Sequence, residues 1–261
     1  MLRRGPFFVR DEQGVASLMT TLEDSAETYA ARLEETLPTV RERIDRAAAA
    51  AGRPAFEVRL IAVTKGHPLG AVDAAVAAGL TDLGENRIEE LEEKSSARVG
   101  GDLLWHMIGH VQGRKARRVA TVTRLIHSVD SLRLAERLAR VGAERGDGVS
   151  VLAQVNTSGE DAKSGFAFEG AVEVLHRVAE LPGLKVEGLM TMAPFVEDDV
   201  TLGAAFSRLR DVRDALRKIC GSVGPELSMG MTNDLEIAIR EGSTMVRIGT
   251  ALFGERAQGA T

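Results

Sequence analysis

Between residues 24 and 51, apolar side chains return every three or four positions: Leu33, Leu37, Val40, Ile44, and then Ala47 with Ala48. That period predicts one long helix with a single buried face. Gly52-Arg53-Pro54 ends it. Beyond this point the pattern changes, and short continuous apolar runs alternate with helical stretches of about 10–20 residues. The runs predict strands at 58–64, 81–84, 103–108, 124–128, 149–155, 185–190, 226–229 and 245–248. Helices are predicted near 69–78, 86–97, 112–121, 131–145, 168–180, 199–219 and 232–241. Unbroken apolar strands such as Leu60-Ile61-Ala62-Val63 suit a parallel sheet covered on both faces. Eight such βα units point to an α/β fold of the (β/α)8 TIM barrel type with an added N-terminal helix. A doubly wound open sheet is the alternative.

Length agrees with the barrel, since 261 residues lie within the range of one such domain. Apolar residues make up 44% of the chain but aromatic residues only 4%, so the core must be aliphatic. The 33 basic and 38 acidic residues are interspersed, which argues against a nucleic-acid surface. A single cysteine, Cys220, excludes an internal disulfide and suits a cytoplasmic protein. It falls in a helical stretch with no motif around it, as a bystander thiol would. The apolar run Phe7-Phe8-Val9 stops at Arg10-Asp11-Glu12, short of a signal-peptide core. No stretch approaches the roughly 18 apolar residues of a membrane span. Residues 1–22 read as a mobile extension, and residues 23–261 as one domain.

In a barrel, chemistry sits at the C-terminal ends of the strands, and phosphate often binds after strands seven and eight. Strand one ends in Val63-Thr64-Lys65-Gly66. A lysine partly desolvated at a barrel mouth has a lowered pKa and attacks carbonyls; otherwise it is a surface lysine opening a loop. Strand seven ends in Leu227-Ser228-Met229-Gly230-Met231-Thr232, and strand eight in Arg247-Ile248-Gly249-Thr250. Both turns pair glycine, which lets backbone N–H groups approach an anion, with a hydroxyl. Strand alternation turns Arg247 and Met245 inward with Gly249, and Val246 and Ile248 outward. An inward arginine needs a polar partner. Either a carboxylate such as Glu85 or a bound heterocycle would serve.

The other strand ends are polar too: Glu85-Asn86-Arg87, His106 to His110, Asn156 and Thr191. His106 and His110 are four apart, but their segment reads as strand then turn, and nothing completes a metal site. Arg114, Lys115, Arg117 and Arg118 read as a solvated helix face.

Taken together, these segments resemble the pyridoxal phosphate homeostasis protein family, single-domain relatives of the alanine racemase N-terminal barrel. The match runs in order through Leu60-Ile61-Ala62-Val63-Thr64-Lys65, Gly84-Glu85-Asn86-Arg87, Trp105-His106-Met107-Ile108-Gly109-His110, Ile126-His127-Ser128-Val129-Asp130, Lys163-Ser164-Gly165-Phe166, Gly188-Leu189-Met190-Thr191-Met192, Leu227-Ser228-Met229-Gly230-Met231 and Met245-Val246-Arg247-Ile248-Gly249-Thr250. The resemblance implies pyridoxal 5′-phosphate held as a Schiff base on Lys65. It implies a phosphate site at Ser228, Gly249 and Thr250, with Met229 and Gly230 alongside. Arg247 would stand near the pyridine nitrogen and Asn86 in the pocket. Gly113-Arg114 and Thr232 depart from the family pattern without touching these positions.

The resemblance further implies a carrier that buffers the cofactor and delivers it to pyridoxal-phosphate-dependent apoenzymes. The residues agree with it. Racemases on this barrel use a tyrosine from an additional β domain, whereas the one tyrosine here, Tyr29, lies in the N-terminal helix. About a dozen residues follow strand eight, too few for a β domain, and a monomer is expected. A fixed cation at Arg247 would keep the ring nitrogen unprotonated, and so a poor electron sink. The alternatives are a pyridoxal-phosphate-dependent racemase or lyase, and an aldolase using Lys65 directly on a sugar phosphate.

Overall fold

The computed structural model describes residues 25–98, 102–160 and 164–256. The extension expected at residues 1–22, and Lys163, lie outside them.

Helix α1 spans Ala26–Ala50, and the Ser25 side chain caps it by accepting from the Thr28 N–H at 3.2 Å. Leu33, Leu37, Val40, Ile44, Ala47 and Ala48 form its buried stripe, as their spacing predicts. Pro38 lies inside it on the exposed side, between buried Leu37 and Val40, and the packed face keeps the helix continuous.

Eight parallel strands come next: β1 Arg59–Val63, β2 Asp82–Glu85, β3 Leu104–Met107, β4 Leu125–Val129, β5 Val149–Asn156, β6 Leu184–Met190, β7 Glu226–Ser228 and β8 Met245–Ile248. Each pairs with the next, and β8 pairs with β1. The sheet therefore closes, and the open doubly wound alternative is excluded. A two-residue strand, Phe166–Ala167, adds to the end of β5.

Between the strands run α2 (Leu69–Ala77), α3 (Ile88–Ala97), α4 (Ala116–Val122), α5 (Leu132–Arg145), α6 (Ala171–Ala179), α7 (Asp199–Ile219) and α8 (Leu235–Arg240). After β8 the described residues form one short helix, α9, Thr250–Phe253. Four residues cannot cover the seam between β8 and β1. Helix α1 covers it instead, packing against α2, α8 and α9. Thr36 Oγ1 donates to the Leu252 carbonyl at 2.9 Å, and Arg43 reaches Glu236 at 2.6 Å and the Thr232 carbonyl at 2.8 Å. The N-terminal helix thus serves as the eighth helix of the ring. Its N-terminal end stands on the same face as the C-terminal ends of the strands, where Tyr29 meets His67 and Phe253.

The apolar core has two parts. A large shell lies between strands and helices, and Val246 and Ile248 belong to it. A small cluster fills the barrel itself: Ile61, Leu125, Leu152, Met190 and Met245. The expected alternation along β8 is therefore observed. The rest of the barrel interior is polar, and this places the chemistry.

Candidate functional site

A cavity of about 930 Å³ opens at the C-terminal mouth. Lys65, Asn86, Arg247, Gly249 and Thr250 line it, five of the residues expected from sequence. Ser228, Met229 and Gly230 do not. All three are buried beneath the mouth, because β7 ends at Ser228 and the chain rises only afterwards. Gly230 turns it with φ +98°, and a Cβ there would sit 2.7 Å from the Ala238 side chain. The residues that emerge into the cavity are Met231, Thr232, Asn233 and Asp234, at the start of α8. Sequence reasoning finds this turn, and the residues that border the cavity follow directly after the three it names. The positive-φ glycine is the available signal, since exposure begins after it.

Lys65 follows a backbone that is firmly held. Thr64 is buried, donating its N–H to Gly84 O at 3.1 Å and its hydroxyl to Glu85 Oε1 at 2.6 Å. Lys94 of α3 donates to Thr64 O, Glu85 Oε1 and Glu90 Oε1, each at 2.7 Å. Glu90 Oε1 also accepts from the Gly66 N–H at 2.6 Å. These contacts pin the loop on both sides of Lys65. The Lys65 ammonium itself has no ion pair or hydrogen bond among the described residues. Burial, Arg256 and Arg247 together hold its pKa below the ordinary lysine value, against the opposing pull of Glu85 and Glu90. An unpaired amine of lowered basicity, on a fixed loop beside a cavity, is a nucleophile for carbonyls.

Arg247 is 5% exposed. It donates from Nη1 to Ser228 Oγ at 2.6 Å and from Nη2 to Thr191 O at 3.0 Å. Glu85 is not its partner, because helix α3 brings Lys94 to that carboxylate first. Burial pushes the guanidinium down to about 10, with Asp234 opposing, so it stays a cation at neutral pH. Gly249 permits β8 to end close against β1: a Cβ there would lie 3.2 Å from Val63 O. Thr250 opens α9, where the Leu252 and Phe253 N–H groups both donate to Gly249 O at 2.9 Å, so the N–H groups of Thr250 and Ala251 are the ones that the helix itself does not use. Asn86 is held in place by Gly109, where a Cβ would come within 2.2 Å of Asn86 O.

Tyr29 lies closer to this region than its place in the N-terminal helix suggests. Its hydroxyl is 3.0 Å from His67 Nδ1, and it lines a second cavity of about 700 Å³ on the outer side of Lys65. It does not line the main cavity. His67 is pushed down to about 4 by burial and the neighbouring Lys94 and Arg256.

The histidines at 106 and 110 separate. His106 lies inside the barrel, while His110 is exposed and 2.8 Å from Asp130 Oδ2. Among the described residues no three His, Cys, Asp or Glu side chains converge as a metal site would require. The basic residues of α4 and the turn before it are largely neutralised: Lys115 pairs with Glu89 at 2.8 Å, Arg118 with Glu92 at 2.5 Å, and Arg117 with Glu144. No helix among the described residues is long and apolar enough to cross a membrane.

Residues 36–257 match the family model of the alanine racemase N-terminal domain. The chain is 43% identical over 229 residues to the pyridoxal phosphate homeostasis protein of Pseudomonas aeruginosa, a match covering 87% of this chain and 97% of that one. It is similar to the structure of PipY of Synechococcus elongatus with pyridoxal phosphate bound, at 35% identity and a TM-score of 0.72, over 81% of this chain and all of the other. An alanine racemase from Corynebacterium glutamicum shares the fold at 18% identity and a TM-score of 0.67, over 90% of this chain and 63% of that one.

Proposed function

We propose, from the premise that this chain belongs to the alanine racemase N-terminal domain family and to its pyridoxal phosphate homeostasis branch, that it binds pyridoxal 5′-phosphate on Lys65 as a Schiff base and releases it unchanged. The observation that carries the proposal is the Lys65 amine: unpaired, of lowered pKa, and facing a cavity that also presents a fixed cation and a glycine-hydroxyl turn.

The donor set suits the cofactor's three chemical ends. Lys65 is placed for the aldehyde. Arg247, anchored from beneath, stands for the ring nitrogen. Gly249, Thr250 and the α8 turn supply backbone N–H groups and hydroxyls for the phosphate. Thr232 takes the hydroxyl position on the β7 side, because it lines the cavity and Ser228 does not. Asn86 borders the same space.

When bound, pyridoxal 5′-phosphate supplies an aldehyde that condenses reversibly with an amine. The chain's own residues favour holding over turnover. Arg247 sets a permanent positive charge that would disfavour protonation of a ring nitrogen beside it and so weaken the ring as an electron sink. The one tyrosine, Tyr29, lies off the main cavity with its hydroxyl on His67. Release to pyridoxal-phosphate-dependent apoenzymes in the cytoplasm, from a monomer, completes the proposal.

Loading the full-length protein and adding excess L-alanine tests it. The visible absorbance of the lysine adduct should decay as the cofactor leaves with the amine, and D-alanine should form no faster than with free cofactor. Racemisation well above that rate would make the chain an enzyme.

A further inference from the structure

Behind Arg247 the hydrogen bonding does not stop. Ser228 Oγ, which accepts from Arg247 Nη1 at 2.6 Å, lies 2.8 Å from His127 Nδ1. His127 Nε2 lies 2.9 Å from His106 Nδ1, and His106 Nε2 lies 3.0 Å from Asp82 Oδ1. Four bonds thus cross the barrel interior through β8, β7, β4, β3 and β2. Ser228 and His127 are fully buried and His106 is 1% exposed. Asp82 stands at the first residue of β2, at the end of the barrel opposite the cavity.

Donor counting fixes the direction of every bond. The Asp82 carboxylate only accepts, so His106 carries its proton on Nε2 and donates it there. A neutral imidazole has one donor and one acceptor, so His106 Nδ1 accepts, and His127 donates to it from Nε2. His127 Nδ1 is then an acceptor and takes the Ser228 hydroxyl hydrogen. A guanidinium only donates, so the Ser228 oxygen accepts from Arg247. All four bonds run from the cation to the anion, and each polarises the next.

We propose that His127 and His106 are positioning residues, whose one-way chain orients the Ser228 hydroxyl and so fixes the charge that Arg247 presents to a heteroaromatic ring in the cavity. The proposal rests on the pyridoxal phosphate reading and extends it to residues that touch no ligand. Burial, the largest influence on both imidazoles, supports their neutral forms. The charged groups facing them are Asp82, Arg59 and Arg124 around His106, and Arg247 and Arg59 around His127. Asp234 faces Arg247, and Glu226 lies 3.8 Å from Arg59. Asp82 remains a carboxylate: burial raises its pKa, but the His106 hydrogen bond and Arg59 lower it on balance.

The test uses full-length protein labelled with ¹⁵N-histidine. Long-range proton–nitrogen correlation should show His106 and His127 both as Nε2–H tautomers, unchanged from about pH 8 to about pH 6. The ring probe is 4-deoxypyridoxine 5′-phosphate, which lacks the aldehyde and so bypasses Lys65. Its affinity should fall about tenfold in His127→Phe, which breaks the chain, and about threefold in Asp82→Ala. Asp82→Ala should also let the His106 and His127 tautomers mix, and Asp82→Asn, which restores the acceptor, should return both tautomers and affinity. Asp82 is partly exposed and remote from the cavity, so this pair serves even if His127→Phe folds poorly. An Nδ1–H or imidazolium signal at His127 in the unsubstituted protein overturns the proposal. Unchanged tautomers and affinity in Asp82→Ala overturn it equally. If the unsubstituted protein binds neither the probe nor pyridoxal 5′-phosphate, the functional reading fails, and the positioning role toward a ring falls with it, whatever the tautomers show.

Discussion

Lys65→Ala abolishes the visible absorbance that the protein acquires with pyridoxal 5′-phosphate, and with it the adduct trapped by borohydride. The expectation rests on the amine's isolation. Lys94, the other lysine near the site, spends its three donors on Thr64, Glu85 and Glu90 and is 4% exposed. It has no free hydrogen to lose and no path to the aldehyde. Lys65 has no such partners among the described residues, and burial, Arg256 and Arg247 already disfavour its proton. The variant should still bind the phosphate and ring non-covalently, since Arg247, Thr250 and the α8 turn are untouched. Absorbance changes on adding cofactor, read with filtration of bound and free, check this. A full-strength visible band in the variant would contradict it.

Lys94→Met unfolds the protein far more easily at alkaline than at acid pH. Glu85 is fully buried, and its Oε2 already lacks a hydrogen-bond partner. Removing Lys94 leaves the carboxylate with only the Thr64 hydroxyl, and breaking a buried pair from one side costs about 3–5 kcal/mol. The pH sign is set by Glu85. Burial, opposed by Lys94, already pushes its folded pKa up to about 7, above the ordinary value of 4.5. A raised carboxylate pKa means that the folded state binds the extra proton. Stability is therefore greatest below the unfolded value and declines as pH rises through the folded one. In the variant the folded pKa rises further, so the loss is largest near about pH 8 and shrinks as Glu85 protonates toward about pH 5. Urea unfolding at the two pH values measures it. A variant within about 1 kcal/mol of the parent at the alkaline value would show that the pair contributes little.

Much of the fold is legible in the sequence. Apolar runs such as Leu60-Ile61-Ala62-Val63 mark strands covered on both sides, and their number and spacing point to the closed barrel. Period two along β8 places Met245 and Arg247 inside and Val246 and Ile248 outside, as observed. The features that escape depend on distance in space. Charge alone matches Arg247 with Glu85, but a helix face that the strand pattern does not describe delivers Lys94 to that carboxylate. Sequence sets His106 beside His110, its neighbour along the chain, whereas its partner is His127 across the barrel. Inward alternation on adjacent strands is the signal that pairs them. Ser228 reads as a phosphate ligand because it begins the glycine turn; it is still strand there, and its hydroxyl is engaged by Arg247 and His127. The placement of α1 in the eighth helical position has no local signal: its apolar stripe marks a buried face but not the elements that cover it.

The claim that Lys65 anchors the cofactor is tested most directly by mass spectrometry of the borohydride-reduced, pyridoxal-phosphate-loaded protein after digestion. The account predicts one modified peptide, containing Val63-Thr64-Lys65 with the reduced cofactor on Lys65. Stoichiometric modification of another lysine, with Lys65 unmodified, would contradict it.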